Sequence, residues 1–134
     1  MKHLITIFCL ILSLNLVAQT TYTTVADGNW TTAGSWDIGV PPNNQTNGSH
    51  ILIITHNITL TDDLSLKGGT TLTVEGCDTL IVNGDVTFAN NSMLVVEDCA
   101  VLIINGNVTN NNNSTDVEID GTIIINGNFT GGNG

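Results

Sequence analysis

The chain has 134 residues, of which 10% are charged, and its formal net charge is −10 at pH 7. That length allows one domain together with a targeting segment. Lys and Arg number only two, so the sequence excludes a surface built to bind nucleic acid or an anionic membrane, both of which require clustered cations. The composition favours a soluble, exported protein.

The first 19 residues have the pattern of a secretory signal peptide. A polar start precedes an apolar run over residues 4–14, and small residues near Ala18 offer cleavage sites. The run is shorter than the roughly 20 residues that a membrane-spanning helix needs. The alternative is an N-terminal strand or helix that stays buried in the protein. After cleavage, Lys67 stands against twelve Asp and Glu, a net charge of −11, and we expect a secreted or cell-surface location.

Residues 20–50 differ from the rest of the chain and predict an N-terminal cap segment of short strands and loops. They contain both tryptophans, Trp30 and Trp36, and the pair Pro41 and Pro42, which lacks backbone donors. Helical periodicity is missing, while Thr, Gly and Asn are common. We therefore expect short strands and turns here rather than a helix.

From residue 51 to residue 134 the chain repeats itself. LIVNGDVT at 80–87 returns as LIINGNVT at 102–109 and as IIINGNFT at 123–130, at offsets of 22 and 21 positions. Repeats of this length are typical of solenoids, in which each copy is one coil stacked on the previous coil. LIITHNIT at 52–59 resembles the same motif at an offset of 28, as if one coil carried a longer turn.

About three short strands, rich in Val, Ile, Leu and Thr, fill each period. We predict them at 50–55, 58–61, 64–66, 71–74, 80–82, 86–88, 93–96, 101–104, 108–109, 117–119, 122–125 and 128–130. The predicted fold is all-β, a right-handed parallel β-helix of about four coils. The alternative is a β-sandwich of antiparallel hairpins, because Asn-Gly is a strong hairpin signal. Hairpins would not require the same residue 22 positions later, whereas stacked coils do.

Side chains alternate between an inner and an outer face along each strand. The inner positions are wholly apolar and predict the core, namely Leu80, Val82, Val86, Leu102, Ile104, Val108, Ile123, Ile125 and Phe129. The outer positions include a candidate interaction ladder of Ile53, Ile81, Ile103 and Ile124. This isoleucine ladder is either covered by a loop or the N-terminal segment, or it contacts another protein chain, since contiguous exposed apolar patches mark interfaces.

Asn83, Asn105 and Asn126 are each followed by Gly and predict a sharp corner between strands. Asn and Gly tolerate the positive φ that such a corner can require. Stacked Asn side chains can also hydrogen-bond to one another along the solenoid axis.

Cys77 and Cys99 fall one coil apart, which places their Cα atoms near the 4.8 Å strand spacing. That separation lies within the range for a disulfide of about 4.4–6.8 Å. The two cysteines form either a disulfide or a ladder of stacked free thiols.

Glu75 and Glu97 stack in the same way, with Asp98 beside them. Repulsion between stacked carboxylates suggests a Ca²⁺ site, but no calcium-loop motif is present, so a solvated acidic edge is favoured. His50 and His56 have no third ligand at zinc spacing, and we predict no metal site.

A family resemblance begins with Trp30 and Trp36 at close spacing, followed by Gly39, Val40 and Pro41, a strand at 50–54 and Gly-rich strand repeats. With these features residues 28–130 resemble the start of G8-type and related β-helix domains of exported, surface-associated proteins, many of them from Bacteroidetes. The resemblance implies that the two tryptophans belong to a cap that closes the first coil. It also implies a module of a larger adhesin or carbohydrate-active protein. The chain departs from the pattern at 131–134, where no capping element follows, and we expect either a fragment or an open end covered by a partner.

The sequence predicts an exported, non-catalytic structural, adhesion or assembly module. Its expected partners are other protein chains, bound through the open C-terminal coil or the isoleucine ladder. An enzyme is not expected, because Arg is absent and no carboxylate pair can be placed at glycosidase separation. The alternative is a carbohydrate-binding or polysaccharide-processing β-helix, which would need exposed aromatic side chains or a catalytic groove. A lesser alternative, ice binding, is suggested by the single ladder of Thr87, Thr109 and Thr130.

Overall fold

The structure of the chain, a computed structural model, describes residues 19–46, 48–89, 91–111 and 115–131. The predicted signal peptide lies outside these residues, apart from its last position. The described residues form fourteen β-strands and one short 3-10 helix at Ala33–Ser35. The strands are β1 Thr20–Thr23, β2 Gly28–Asn29, β3 His50–Ile54, β4 Ile58–Leu60, β5 Leu64–Leu66, β6 Thr71–Val74, β7 Thr79–Val82, β8 Val86–Phe88, β9 Met93–Val96, β10 Val101–Ile104, β11 Val108–Asn110, β12 Asp116–Ile119, β13 Thr122–Ile125 and β14 Phe129–Thr130.

The strands form three parallel sheets that run side by side along one axis. The first sheet has the order β1-β3-β6-β9-β12, the second β2-β4-β7-β10-β13, and the third β5-β8-β11-β14. Successive strands in the chain therefore belong to different sheets, and each strand pairs with its counterpart one coil away. This arrangement confirms the predicted all-β parallel solenoid and is not the sandwich of antiparallel hairpins.

Four triplets of strands follow one another, from β3–β5 to β12–β14, and they climb through about three turns. The prediction of four coils is therefore slightly too high. One turn leads from one triplet to the next, so four triplets span about three turns.

The core is a stack of inward-facing apolar side chains. Leu72 pairs with Leu94 and Val74 with Val96, and all four are at most 2% exposed. The predicted core positions in the second and third triplets are likewise buried, namely Leu80, Val82, Val86, Leu102, Ile104 and Val108. Full burial of each such side chain contributes about 1.5–3 kcal/mol, so this stack is the main source of stability.

The corner between the second and third sheets contains the predicted amide ladder. Asn105 Nδ2 donates to Asn83 Oδ1 at 2.7 Å, and Asn126 Nδ2 donates to Asn105 Oδ1 at 2.8 Å. Two residues further on, a second ladder joins side chains to the backbone of the next coil. In it Asp85 Oδ1 accepts a hydrogen bond from the backbone N–H of Asn107 at 2.6 Å. These bonds hold neighbouring coils in register.

The glycines of this corner serve a different purpose from the one predicted. The expectation of positive φ at the Asn-Gly corner is wrong, because positive φ occurs at the other two corners of the coil. The residues are Gly76, Cys77 and Cys99 between the first and second sheets, and Gly68, Gly69 and Asn91 between the third and first. At the Asn-Gly corner the backbones of adjacent coils approach one another closely. A Cβ on Gly106 would lie against the carbonyl of Gly84 and 2.5 Å from Asp85 Oδ1. Glycine is needed there because nothing larger fits.

Candidate functional site

The N-terminal end of the solenoid is built from residues 20–46, which form an incomplete first coil. β1 pairs with β3 and β2 with β4, so this segment extends the first two sheets. On the third sheet, Gln45 forms a parallel bridge with Ser65. His56 Nδ1 lies 3.1 Å from the carbonyl oxygen of Thr24 and joins this segment to the first complete coil.

Trp30 and Trp36 close this end of the core. Both are 1% exposed and their rings pack edge to face, with centroids 5.0 Å apart. Trp36 Nε1 donates to the carbonyl oxygen of Trp30 at 2.7 Å, and Trp30 Nε1 donates to that of Pro42 at 2.9 Å. Both indole N–H groups are therefore satisfied although they are buried. We call this arrangement the closed end.

The C-terminal end has the opposite character. β12, β13 and β14 are the last strands of all three sheets, so three strand edges lie at one end. Val117 pairs with Leu94 and Phe129 with Val108, yet Val117 is 49% exposed and Phe129 63%, against 2% for each partner. The residues of the last coil keep the inward register of the core, but no coil covers them within the described residues. Phe129, predicted as core, is therefore solvent-exposed.

A cavity of about 240 Å³ opens at this end. Its walls include Leu94, Ile104 and Val108 from the third triplet of strands. Val117, Ile119 and Phe129 contribute from the last triplet. The lining is almost entirely apolar, and solvated apolar surface of this kind is typical of binding sites. We call this feature the mouth, and it is the candidate functional site.

The isoleucine ladder lies on the outer face of the second sheet and has three members. Ile81 pairs with Ile103 and Ile103 with Ile124, and exposure reaches 42% at Ile124. The inclusion of Ile53 is wrong, because Ile53 lies in β3 of the first sheet and pairs with Thr73. The counterpart of Ile81 in the first complete coil is Thr59. The ladder ends at the mouth, so the two apolar surfaces are continuous at β13.

The structure joins Cys77 and Cys99 by a disulfide, with their Cα atoms 4.6 Å apart. The bond lies on the outside of the corner between the first and second sheets, where both residues are exposed and have positive φ. It links two adjacent coils at the middle of the solenoid.

We expect reduction of this disulfide to lower the free energy of unfolding by about 3 kcal/mol, because the bond closes a loop of 22 residues in the unfolded chain. Urea unfolding followed by circular dichroism, with and without reductant, measures the difference. The matched control is the double variant Cys77→Ser, Cys99→Ser, which should have the stability of the reduced protein and be insensitive to reductant. Equal stability of the oxidised and reduced chains would contradict the expectation.

Other predicted features lie apart from the mouth. In the described part of the chain no group of three or more His, Cys, Asp or Glu could hold a metal ion, the acidic edge around Glu75, Glu97 and Asp98 included. Among the same residues, no helix is long and apolar enough to cross a membrane. The Thr87, Thr109 and Thr130 ladder lies on the outer face of the third sheet, in line with Ser65.

The sequence predicts Phe129 as core and places Val117 and Ile119 in a strand, and it predicts the open C-terminal coil as a partner surface without assigning residues to it. Val117, Ile119 and Phe129 carry the same apolar pattern as earlier coils, so no local pattern marks them as exposed.

Comparisons with protein-family models, with curated proteins and with solved structures find no match to this chain. The resemblance to G8-type domains therefore has no family match to support it, and the fold stands on the sheets alone.

Proposed function

We propose that this chain is an exported, non-catalytic structural module that joins another protein chain through the mouth. The observation that carries the proposal is the contrast between the two ends of the solenoid. Trp30 and Trp36 are 1% exposed at the closed end, whereas Phe129 is 63% exposed in an inward-facing position at the other end.

Two physical properties make the mouth suited to a protein partner. Exposed apolar side chains gain about 25 cal/mol for each Å² that a partner removes from water. The edges of β12, β13 and β14 also present backbone groups to which a partner's strands can bond, as in recognition by strand addition. A polypeptide satisfies both kinds of surface at once, because its side chains cover the apolar lining while its backbone pairs with the strand edges.

The proposed setting is outside the cell or at its surface, as an adhesion or assembly module. The apolar leader at 4–14 and the acidic composition support export. The resemblance of residues 28–130 to G8-type β-helix domains of surface proteins supports the same setting. The carbohydrate-binding alternative has less support, because both tryptophans are buried and the exposed ring of Phe129 lies in an almost wholly apolar lining with few polar groups for sugar hydroxyls.

Site-specific photo-cross-linking tests the proposal. A benzophenone amino acid replaces Phe129 in the mouth, and the matched control carries it at Val40, which is 58% exposed near the closed end. After illumination of the exporting host, we expect covalent adducts with protein through position 129 and few through position 40. Absence of adducts at 129, or equal yields at both positions, would overturn the proposal.

A further inference from the structure

We infer that the protein bound at the mouth is a second copy of this chain, and that the two copies meet C-terminal end to C-terminal end about a two-fold axis. This inference rests on the proposed function and names the partner. The axis passes beside Ile124 in β13, so that β13 pairs antiparallel with β13 of the second copy.

The closed end decides between the two ways in which copies can stack. Head-to-tail stacking would set the mouth of one copy on the first coil of the next and would produce an open filament. Residues 20–46 occupy that position with an incomplete coil and the buried pair Trp30 and Trp36. Two mouths facing one another bury both apolar ends and form a closed dimer.

The charges of the last coil exclude an axis through the first sheet, and the exposed Ile124 favours the second sheet over the third. Asp116 and Glu118 belong to β12, and Asp120 follows it, whereas residues 122–131 contain no charged side chain. An axis through the first sheet would place the β12 carboxylates of the two copies opposite one another, and directly opposed like charges destabilise strand pairs. An axis through the second sheet pairs neutral β13 with itself and sets acidic β12 against the neutral β14 of the second copy.

The same axis brings apolar side chains of each copy into the mouth of the other. A two-fold axis through the second sheet places the first sheet of one copy opposite the third sheet of the other. Phe129 of each copy therefore lies over the side where Val117 and Ile119 of the other copy are exposed. The outward Ile124, 42% exposed, meets its own copy and joins the two isoleucine ladders.

Disulfide trapping tests the inference on the purified, exported chain. Cysteine replaces Ile124 on the proposed axis. Controls carry cysteine at Ile81, which points outward on the same ladder two coils away, or at Glu118 in β12. The native cysteines are bonded to one another, so the introduced thiol is free to react under mild oxidation. We expect most of the Ile124→Cys chain to become a covalent dimer, and at least tenfold less dimer for the two controls.

Sedimentation equilibrium of the unmodified chain is the second readout. We expect the mass to rise with concentration to twice that of the monomer and no further, and added salt to favour the dimer because both copies are acidic. A mass that stays monomeric, a mass that grows past the dimer, or preferential trapping at position 81 or 118 would overturn the inference. A monomeric chain that still forms adducts through position 129 with a different protein would overturn the dimer alone and leave the proposed function standing.

Discussion

Replacing Trp36 by alanine should lower the free energy of unfolding by about 4 kcal/mol, the largest loss that we expect from one side chain. The indole is 1% exposed, packs on Trp30 at 5.0 Å between centroids and on Tyr22 at 6.3 Å, and donates to the carbonyl oxygen of Trp30. Its removal leaves a cavity at the closed end and exposes the first complete coil to water. Urea unfolding followed by circular dichroism measures the loss.

The control for this substitution is Val40→Ala in the same segment. Val40 is 58% exposed, and its truncation should change stability by less than about 0.5 kcal/mol. In the Trp36→Ala variant Trp30 is the one remaining tryptophan, so its fluorescence should shift to longer wavelength as the cap loosens. A Trp36→Ala variant as stable as Val40→Ala would show that the tryptophans do not close the core.

Replacing Gly106 by alanine should cost more than about 3 kcal/mol, although the change adds one methyl group on the surface of the solenoid. The new Cβ would lie against the carbonyl of Gly84 in the coil below. A flexible side chain could turn away, but this neighbour is backbone held by the Asn83 and Asp85 ladders. The coils must therefore separate at this corner, and the stacked strands on both sides lose hydrogen bonds.

Gly34→Ala is the matched control, because a Cβ at Gly34 meets nothing within 4 Å. Its stability should stay within about 0.5 kcal/mol of the unmodified protein in the same urea titration. A Gly106→Ala variant as stable as Gly34→Ala would show that the backbones of adjacent coils do not approach closely at the Asn-Gly corner. It would also contradict the stacking of β7–β8 on β10–β11.

The repeat predicted most of the fold because stacking makes equivalent residues contact one another. Leu80 and Leu102 lie 22 positions apart in the sequence and pair directly in the second sheet. The strand positions from residue 50 onward followed from the same periodicity, within one or two residues at their ends.

The register of the first coil could not be predicted in this way, because all three sheets share the same alternation of apolar residues. LIITHNIT matches LIVNGDVT in pattern, yet Leu52 belongs to the first sheet and Leu80 to the second. Moving a strand from one sheet to the next leaves its pattern of apolar residues unchanged. Only the identity of the strands with which it pairs shows to which sheet it belongs. This is why Ile53 was assigned to the wrong ladder.

Burial at the mouth was also beyond prediction from local pattern. Phe129 occupies the same position in its coil as Val86 and Val108, and its burial depends on whether another coil lies above it. That is a property of the whole stack. The φ of the corners was misjudged for a related reason, since glycine serves both left-handed backbone and close approach, and sequence does not separate the two.

The central claim is that the solenoid is closed at the tryptophan end and meets another protein at the mouth. Mapping the cross-links formed through position 129 tests it most directly. The account predicts adducts at position 129, with the linked peptide coming from the β12 to β14 edge of a second copy, and few adducts at the equally exposed position 40. Cross-linking yields at position 129 that are no higher than those at position 40 would contradict it.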